Sequence, residues 1–84
     1  MAKILVVDDE TDLEVLIKQK FRKQIREKEY EFFFAINGLD ALIKVSEQPD
    51  LDIVLSDINM PEMNGIEFIK NFRQICKKTP VIVL

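Results

Sequence analysis

The sequence predicts an α/β fold in which a doubly wound parallel sheet carries helices on both faces. Two observations predict it. Short apolar runs rich in β-branched residues alternate with amphipathic segments of helical period, and two of the apolar runs end abruptly in aspartate. Strands joined through helices run parallel with right-handed crossovers, and such sheets bind their ligands beyond the carboxyl ends of the strands. The aspartates are therefore expected at the edge where a ligand would bind.

The first strand is predicted at residues 3–7, because this run is apolar on both faces. A long helix is predicted next, starting with a capping box of Thr11 and Glu14 and ending near Arg26. Its apolar positions recur at helical spacing: Leu13, Leu16, Ile17, Phe21 and Ile25. The second strand is predicted at residues 30–36, where aromatic side chains favour a strand over a helix.

The second helix is predicted at residues 39–48, between Asn37-Gly38 and Pro49. The third strand is predicted at residues 51–56 and repeats the design of the first, because a buried-type run again leads into an aspartate, Asp57. A third helix is predicted from Asn64, and residues 81–84 form a fourth strand that is apolar on both faces. The sequence thus predicts a sheet of four strands.

Composition limits the possible functions. The chain has 84 residues, 48% hydrophobic and 32% charged, so it can form one small domain with a core. It contains no histidine and a single cysteine, which argues against histidine catalysis, most zinc sites and an internal disulfide. A net charge of −3 argues against a nucleic-acid module. With no secretory layout and no apolar run of about 20 residues, we expect a cytoplasmic protein that does not enter membranes.

Three carboxylates are expected to meet at the carboxyl edge of the sheet. They are Asp8 and Asp9 after the first strand and Asp57 after the third. One such pair about 4 Å apart repels by roughly 4 kcal/mol at an effective dielectric constant of about 20, so a divalent cation would relieve the cluster. All-oxygen ligands favour Mg²⁺, with Mn²⁺ as a second choice. The alternative is that Asp8 and Asp9 are loop acids, stabilised by about 0.3–1 kcal/mol at the positive end of a helix.

The sequence around these acids carries a family resemblance. Residues 6–10, VVDDE, together with residues 55–65, LSDINMPEMNG, resemble the receiver (response-regulator, CheY-like) domain of two-component signalling. The resemblance covers essentially the whole chain in element order and spacing. It implies a flavodoxin/CheY-like sheet with strand order 2-1-3-4. It also implies that the chain becomes a phosphoprotein and takes part in phosphorelay signal transduction.

The resemblance also implies a role for each site residue. Asp57 would accept a phosphoryl group from the phosphohistidine of a sensor histidine kinase or a phosphotransfer protein. Mg²⁺ would be held by Asp9, Asp57 and the backbone carbonyl of Asn59, while Asp8 would act through a metal-bound water. The side chain of Asn59 would tune the lifetime of the acyl phosphate. Such a domain is not a conventional enzyme, since receivers catalyse their own phosphorylation and dephosphorylation.

The family pattern is incomplete in this sequence. Residues 1–84 would be a receiver domain that represents the N-terminal two thirds to three quarters of a full one, without the fifth strand and the last two helices. The Ser or Thr and the Lys that switch the family have no counterpart here. We therefore expect impaired switching and possible self-association through an exposed fourth strand.

Two other functions stay open at the level of sequence. One is a binding or assembly scaffold that keeps the receiver fold without catalysis. The other is a phosphohydrolase with an aspartate nucleophile, although such enzymes typically carry an acid two residues later, where this chain has Asn59. The basic stretch 18–28 is interpreted as a solvated helix face rather than a nucleic-acid surface, and residues 32–34, all phenylalanine, as core.

Overall fold

The computed structural model describes residues 1–56, 70–74 and 79–83. Their strands form one parallel sheet of order β2-β1-β3-β4. The strands are β1 (Ala2–Val7), β2 (Tyr30–Ala35), β3 (Ile53–Ser56) and β4 (Val81–Val83). The helices are α1 (Thr11–Lys20), α2 (Arg22–Arg26) and α3 (Gly38–Glu47), and residues 70–74 are also helical. The predicted fold class and strand order are thus confirmed.

The strand register separates the sheet into two faces. Leu5 of β1 is the partner of Phe33 in β2 and of Val54 in β3, so these three side chains point to the same side. The next residues along the strands point to the opposite side, where Phe34 is the partner of Val6. We call the two sides the α3 face and the α1 face, after the helices that cover them.

The α3 face holds a closed apolar core. Its cluster of buried side chains joins three strands to α3 and to the helical segment 70–74, and its members are Leu5, Val7, Ala35, Ala41, Val45, Leu51, Val54 and Phe72. Leu5 and Val54 are completely buried, and Phe33 packs against the same cluster. The interpretation of Phe33 as a core residue is therefore confirmed.

The α1 face is covered less completely. Helix α1 has no buried residue, and Leu16, predicted on its apolar side, is 60% exposed. Aromatic rings fill part of the space between the helices and β2: the Phe21 ring lies 5.9 Å from that of Tyr30 and 5.5 Å from that of Phe32. Toward the other edge of the sheet, Ile82 of β4 is 48% exposed.

The single long helix predicted after β1 is wrong in one respect, because it divides into α1 and α2 at Phe21. Phe21 has φ −105° and ψ 23°, outside the helical region, yet its amide still bonds the Ile17 carbonyl at 2.9 Å. The interruption falls at the residue whose ring packs against β2. Tertiary packing of an aromatic side chain thus displaces the backbone from ideal helical geometry.

The predicted capping box at Thr11 is also wrong. Thr11 is already the first residue of α1, and Glu10 precedes it in an extended conformation with no side-chain cap. A side-chain cap does occur on α3, where the Asp40 amide donates to Asn37 Oδ1 at 2.8 Å. The predicted start of a helix at Asn64 lies outside the described residues.

At the opposite, amino edge of the sheet, where the strands begin, Lys3 makes polar contacts with two aspartates that precede β3. Its amide donates to Asp52 Oδ2 at 2.7 Å, and its ammonium group lies 2.8 Å from Asp50 Oδ2. This exposed hydrogen-bonded pair raises the pKa of Lys3 and lowers that of Asp50. Throughout the described ranges, no helix is both long and apolar enough to cross a bilayer.

Candidate functional site

The carboxyl ends of β1 and β3 lie side by side. Val7, the last residue of β1, is the register partner of Ser56, the last residue of β3. Both are completely buried, so the two strand ends form a closed floor at this edge of the sheet. Parallel strands bring these ends to one edge, as predicted from the sequence.

Asp8 is the first residue beyond this floor, and two hydrogen bonds fix its position. Its amide donates to the Ala35 carbonyl at 3.0 Å, which holds it against the end of β2. Its Oδ1 accepts from the Glu10 amide at 2.9 Å, which ties it to the residue that precedes α1. Asp8 is half-buried, so this carboxylate is anchored but still reachable from solvent.

Asp9 is exposed and stands between Asp8 and the start of α1. Further acids follow at once in the chain, since α1 carries Asp12 and Glu14 in its first turn. Carboxylates near this end of a helix are favourable whether or not a cation is bound. The placement of Asp8 and Asp9 therefore fits both the metal-site interpretation and the simpler loop-acid interpretation.

The remaining predicted site residues, Asp57 and Asn59, lie outside the described residues. Asp57 follows the buried Ser56 directly in the chain. Among the residues that the structure describes, no three His, Cys, Asp or Glu side chains are grouped to hold a metal ion. Because the predicted set needs Asp57 as its third carboxylate, the metal site stays a prediction.

The structure adds one feature to this edge that sequence reasoning missed. At the end of β2, the Ile36 amide donates to Asp40 Oδ2 at 3.1 Å, while Asn37 accepts from the Asp40 amide. These reciprocal bonds fix the turn from β2 into α3. The signal was present in the sequence as Asn37 followed three residues later by an acid, a variant of the capping-box spacing.

The fold and this edge define a doubly wound α/β domain whose first strand delivers acids to the carboxyl edge of the sheet. Residues 4–84 match the model of the response regulator receiver domain. The chain therefore belongs to the receiver-domain family of two-component signalling. The family resemblance seen in the sequence is thus confirmed.

One similar protein is sporulation initiation phosphotransferase F of Bacillus subtilis. It is 41% identical over 98% of this chain, and the match covers 62% of that protein. The chain thus spans less than two thirds of the length of this relative.

Solved structures give the same family. Chemotaxis protein CheY4 of Vibrio cholerae has a TM-score of 0.83 at 34% identity, over 99% of this chain and 67% of that one. Response regulator TrrA of Thermotoga maritima, in complex with Mg²⁺-BeF, has a TM-score of 0.81 at 36% identity, over 99% and 68%. TrrA in complex with histidine kinase ThkA has a TM-score of 0.80 at 36% identity, over 99% and 67%.

Proposed function

We propose that this receiver domain accepts a phosphoryl group on Asp57. A carboxylate oxygen of Asp57 attacks the phosphorus of a phosphohistidine, the bond from phosphorus to the imidazole nitrogen breaks, and the imidazole leaves with the bonding electrons. The product is an acyl phosphate on Asp57. Phosphoryl transfer depends on positioning and on neutralising charge, so the residues that surround Asp57 matter as much as the nucleophile itself.

The observation that carries this proposal is the pairing of Val7 with Ser56. The residues that follow these partners in the chain are Asp8 and Asp57, so each of two adjacent strand ends is followed directly by an acid in the sequence. Burial of both strand ends supports a rigid base beneath the acids. An edge of this kind can bring carboxylates distant in sequence to one phosphoryl group.

The donor chemistry of this edge suits Mg²⁺. Asp8 and Asp9 offer oxygen ligands within reach of solvent, and the chain has no histidine to favour a softer metal. We propose that Asp9, Asp57 and the Asn59 carbonyl hold the ion directly. Asp8 would contribute through water, in keeping with the hydrogen bond that its Oδ1 already accepts from the Glu10 amide. When bound, the ion supplies neutralisation of the phosphoryl oxygens.

The proposed partner is a sensor histidine kinase or a phosphotransfer protein. Support comes from the complex of the similar response regulator TrrA with histidine kinase ThkA. The cytoplasm is the proposed location. Within residues 1–84 the family's switch Ser or Thr and Lys have no counterpart, so we propose that phosphorylation of this 84-residue chain alone changes its conformation little. Self-association through β4 is a further part of the proposal, because Ile82 is exposed there.

The direct test is adduct formation. The chain is incubated with Mg²⁺ and acetyl phosphate, and separately with beryllofluoride, and followed by intact mass and by amide resonances. An adduct on the wild type that is missing from Asp57→Asn, without turnover of general phosphomonoesters, supports the proposal. Turnover of such esters would indicate a phosphohydrolase, and lack of any adduct would indicate a scaffold.

A second test addresses the metal. Mn²⁺ is titrated against the wild type, Asp9→Asn and Asp12→Asn, with paramagnetic relaxation of amide signals near residue 8 as the measurement. The two variants lose the same charge, but only Asp9 is proposed to touch the ion. We expect Asp9→Asn to weaken Mn²⁺ binding at least tenfold and Asp12→Asn to change it less than twofold. Equal losses would show that the acids attract the cation only through their general charge.

A further inference from the structure

An open groove lies beside β2, and neither Asp8 nor Asp9 is among its lining residues. It has a volume of about 750 Å³ between the strand and the helices α1 and α2. Its lining combines aromatic and apolar side chains with cations, and the residues are Met1, Lys18, Arg22, Ile25, Arg26, Lys28, Tyr30, Glu31 and Phe32. This volume is within the range of about 300–1,000 Å³ that is typical of sites for small organic ligands.

Aromatic rings form the floor of the groove. The rings of Tyr30 and Phe32 are 6.1 Å apart and nearly perpendicular, and Phe21 packs behind both of them. Tyr30 and Phe32 are only half-buried, although they are large apolar side chains on a face that a helix covers. The floor can therefore accept a further planar ring by stacking or by edge contact.

Cations surround this floor although the chain as a whole is acidic. Four basic residues line the groove against one acid, Glu31, while the net charge of the chain is −3. Lys18 is paired with Glu14 at 3.2 Å. Within the described parts of the chain, the side chains of Arg22, Arg26 and Lys28 form no salt bridge.

Lys28 occupies an unusual backbone position at this rim. It has φ 60°, in the left-handed region, where glycine is strongly preferred. The Lys28 amide donates to the Ile25 carbonyl at 3.1 Å, and the Glu29 amide to the Gln24 carbonyl at 2.8 Å. These two bonds form a Schellman motif that ends α2, with lysine where glycine fits best. The Schellman motif accounts for this backbone conformation and places the Lys28 side chain at the lining of the groove.

We propose that this groove binds a small aromatic anion with the chemistry of a nucleotide. The planar ring stacks on one of the perpendicular rings of Tyr30 and Phe32 and meets the other through an edge contact. The phosphate is held by Arg22, Arg26 and Lys28. Arginine suits this task because its planar donor groups match phosphate oxygens. The site is separate from the carboxyl edge, so it does not depend on phosphorylation at Asp57.

The distribution of charge favours a compact ligand over a nucleic-acid strand. The stretch 18–28 contains six basic residues, but Lys20 and Lys23 are absent from the lining of the groove. A surface for a polyanion would use the whole stretch, because binding then follows the number of phosphates neutralised. Here the cations instead gather around one aromatic floor.

The first experiment uses adenosine 5′-monophosphate as the probe, titrated into the 84-residue chain and followed by amide resonances. Adenosine and inorganic phosphate serve as the two halves of the probe. We expect shifts centred on Lys28, Tyr30 and Phe32, and an affinity for the monophosphate at least tenfold above that for either half. Equal binding of one half alone, or no shift in this groove at millimolar probe, would overturn the proposal.

Variants then test which cations act. Arg22→Gln with Arg26→Gln should weaken binding at least tenfold, whereas the matched pair Lys20→Gln with Lys23→Gln should change it less than twofold. Lys28→Gly removes a cation while relieving backbone strain, so the protein should become more stable yet bind several-fold more weakly. Such opposite changes cannot come from a general loss of folding.

Two further probes decide between classes of ligand. If a single-stranded oligonucleotide binds more tightly than the monophosphate and is weakened equally by both double variants, the surface is a nucleic-acid site and the proposal fails. If a glutamate-rich peptide without aromatic residues shifts the same resonances at lower concentration, the groove takes an acidic protein segment and the proposal fails. Beryllofluoride binding should be unchanged in all these variants, which separates this test from that of Asp57.

Discussion

The two faces of the sheet are stabilised in different ways. On the α3 face, the strands β1, β2 and β3 each contribute buried side chains to one apolar cluster. Helix α3 supplies Ala41 and Val45 to the same cluster. On the α1 face, the helix buries none of its residues and exposes Leu16. The comparison teaches that the α3 face supplies most of the buried core of this small sheet, while the α1 face leaves apolar and charged surface available for contacts.

Side-chain size explains much of the difference. Helix α3 presents Gly38, Ala41 and Val45 toward the sheet, so its backbone can approach closely and exclude water. At the corresponding place on the other face, bulky rings from Phe21 and Phe32 stand between helix and strand. Rings of this size leave an open groove beside β2 rather than a closed interface.

The largest expected effect comes from one substitution made on each face. Leu5→Ala removes a completely buried side chain from the α3 face and should lower the free energy of unfolding by about 3–4 kcal/mol. Leu55→Ala makes the same change at a half-buried position on the α1 face and should cost about 1–2 kcal/mol. Urea denaturation followed by circular dichroism measures both.

Equal losses at Leu5 and Leu55 would contradict the distinction between the faces. If Leu5→Ala fails to fold, the pair Leu5→Val and Leu55→Val makes the same comparison with a smaller cavity.

The second effect concerns the capping residues that precede α3 and α1. Asn37→Ala removes the side-chain cap of α3 and should cost about 1 kcal/mol. Glu10→Ala, at the same position before α1, removes no cap and should change the free energy of unfolding by less than about 0.5 kcal/mol. Thermal unfolding gives both values. A loss at Glu10 as large as that at Asn37 would show that α1 is capped in solution.

The third effect is a stabilisation. Lys28→Gly relieves a left-handed backbone beside the α1 face and should raise the free energy of unfolding by about 0.5 kcal/mol. The same substitution at Lys44, inside α3, should lower it by about 1 kcal/mol. Chemical denaturation of both variants distinguishes them by sign. A loss at Lys28 would mean that its backbone carries no strain.

The smallest effect lies at the amino edge, which belongs to neither face. The hydrogen bond from Lys3 lowers the pKa of Asp50 below 3.8, so its contribution is present above pH 3.8 and disappears as pH falls through the folded-state pKa. The same pair raises the pKa of Lys3 above 10.5, so the contribution is present below pH 10.5 and disappears at higher pH.

Asp50→Asn tests this pair. The melting temperature of the wild type should exceed that of the variant slightly at pH 7, and the gap should close below pH 3.8. Because the pair is exposed, 1 M salt should also shrink the gap at pH 7. A gap that stays constant with pH and salt would assign it to packing instead of charge.

Strand positions and the parallel, doubly wound sheet could be predicted from the sequence because both depend on apolar runs and chain connectivity, whereas the strand order followed from the family resemblance. The interruption at Phe21 could not, since it arises from contact with rings that are distant in sequence. Exposure of Leu16 was missed for a related reason: helical period predicts an apolar side of α1 but not how closely that side approaches the sheet.

In the candidate site, too, residue positions could be predicted from the sequence, whereas contacts that depend on local geometry could not. The positions of Asp8 and Asp9 after a buried strand followed from the sequence, and the structure adds the hydrogen bonds that orient Asp8. The bond from the Glu10 amide to the Asp8 carboxylate is one that aspartates often accept from the residue two positions on, but the sequence alone does not establish that it forms, because it depends on the turn geometry between strand and helix. Asp57 was also predicted at this edge as the acid that follows a buried strand, while its role as phosphoacceptor and the role of Asn59 rest on the family resemblance.

The hydrogen bond from the Glu10 amide to Asp8 makes the Glu10 amide proton a reporter of events at the acidic edge of the sheet. A cation held through water near the Asp8 carboxylate changes the electric field at this amide proton while its hydrogen bond persists. The Glu10 amide resonance would therefore shift as the ion binds, while resonances within β1 would change little. A single amide signal could in this way report occupancy without any label or added chromophore.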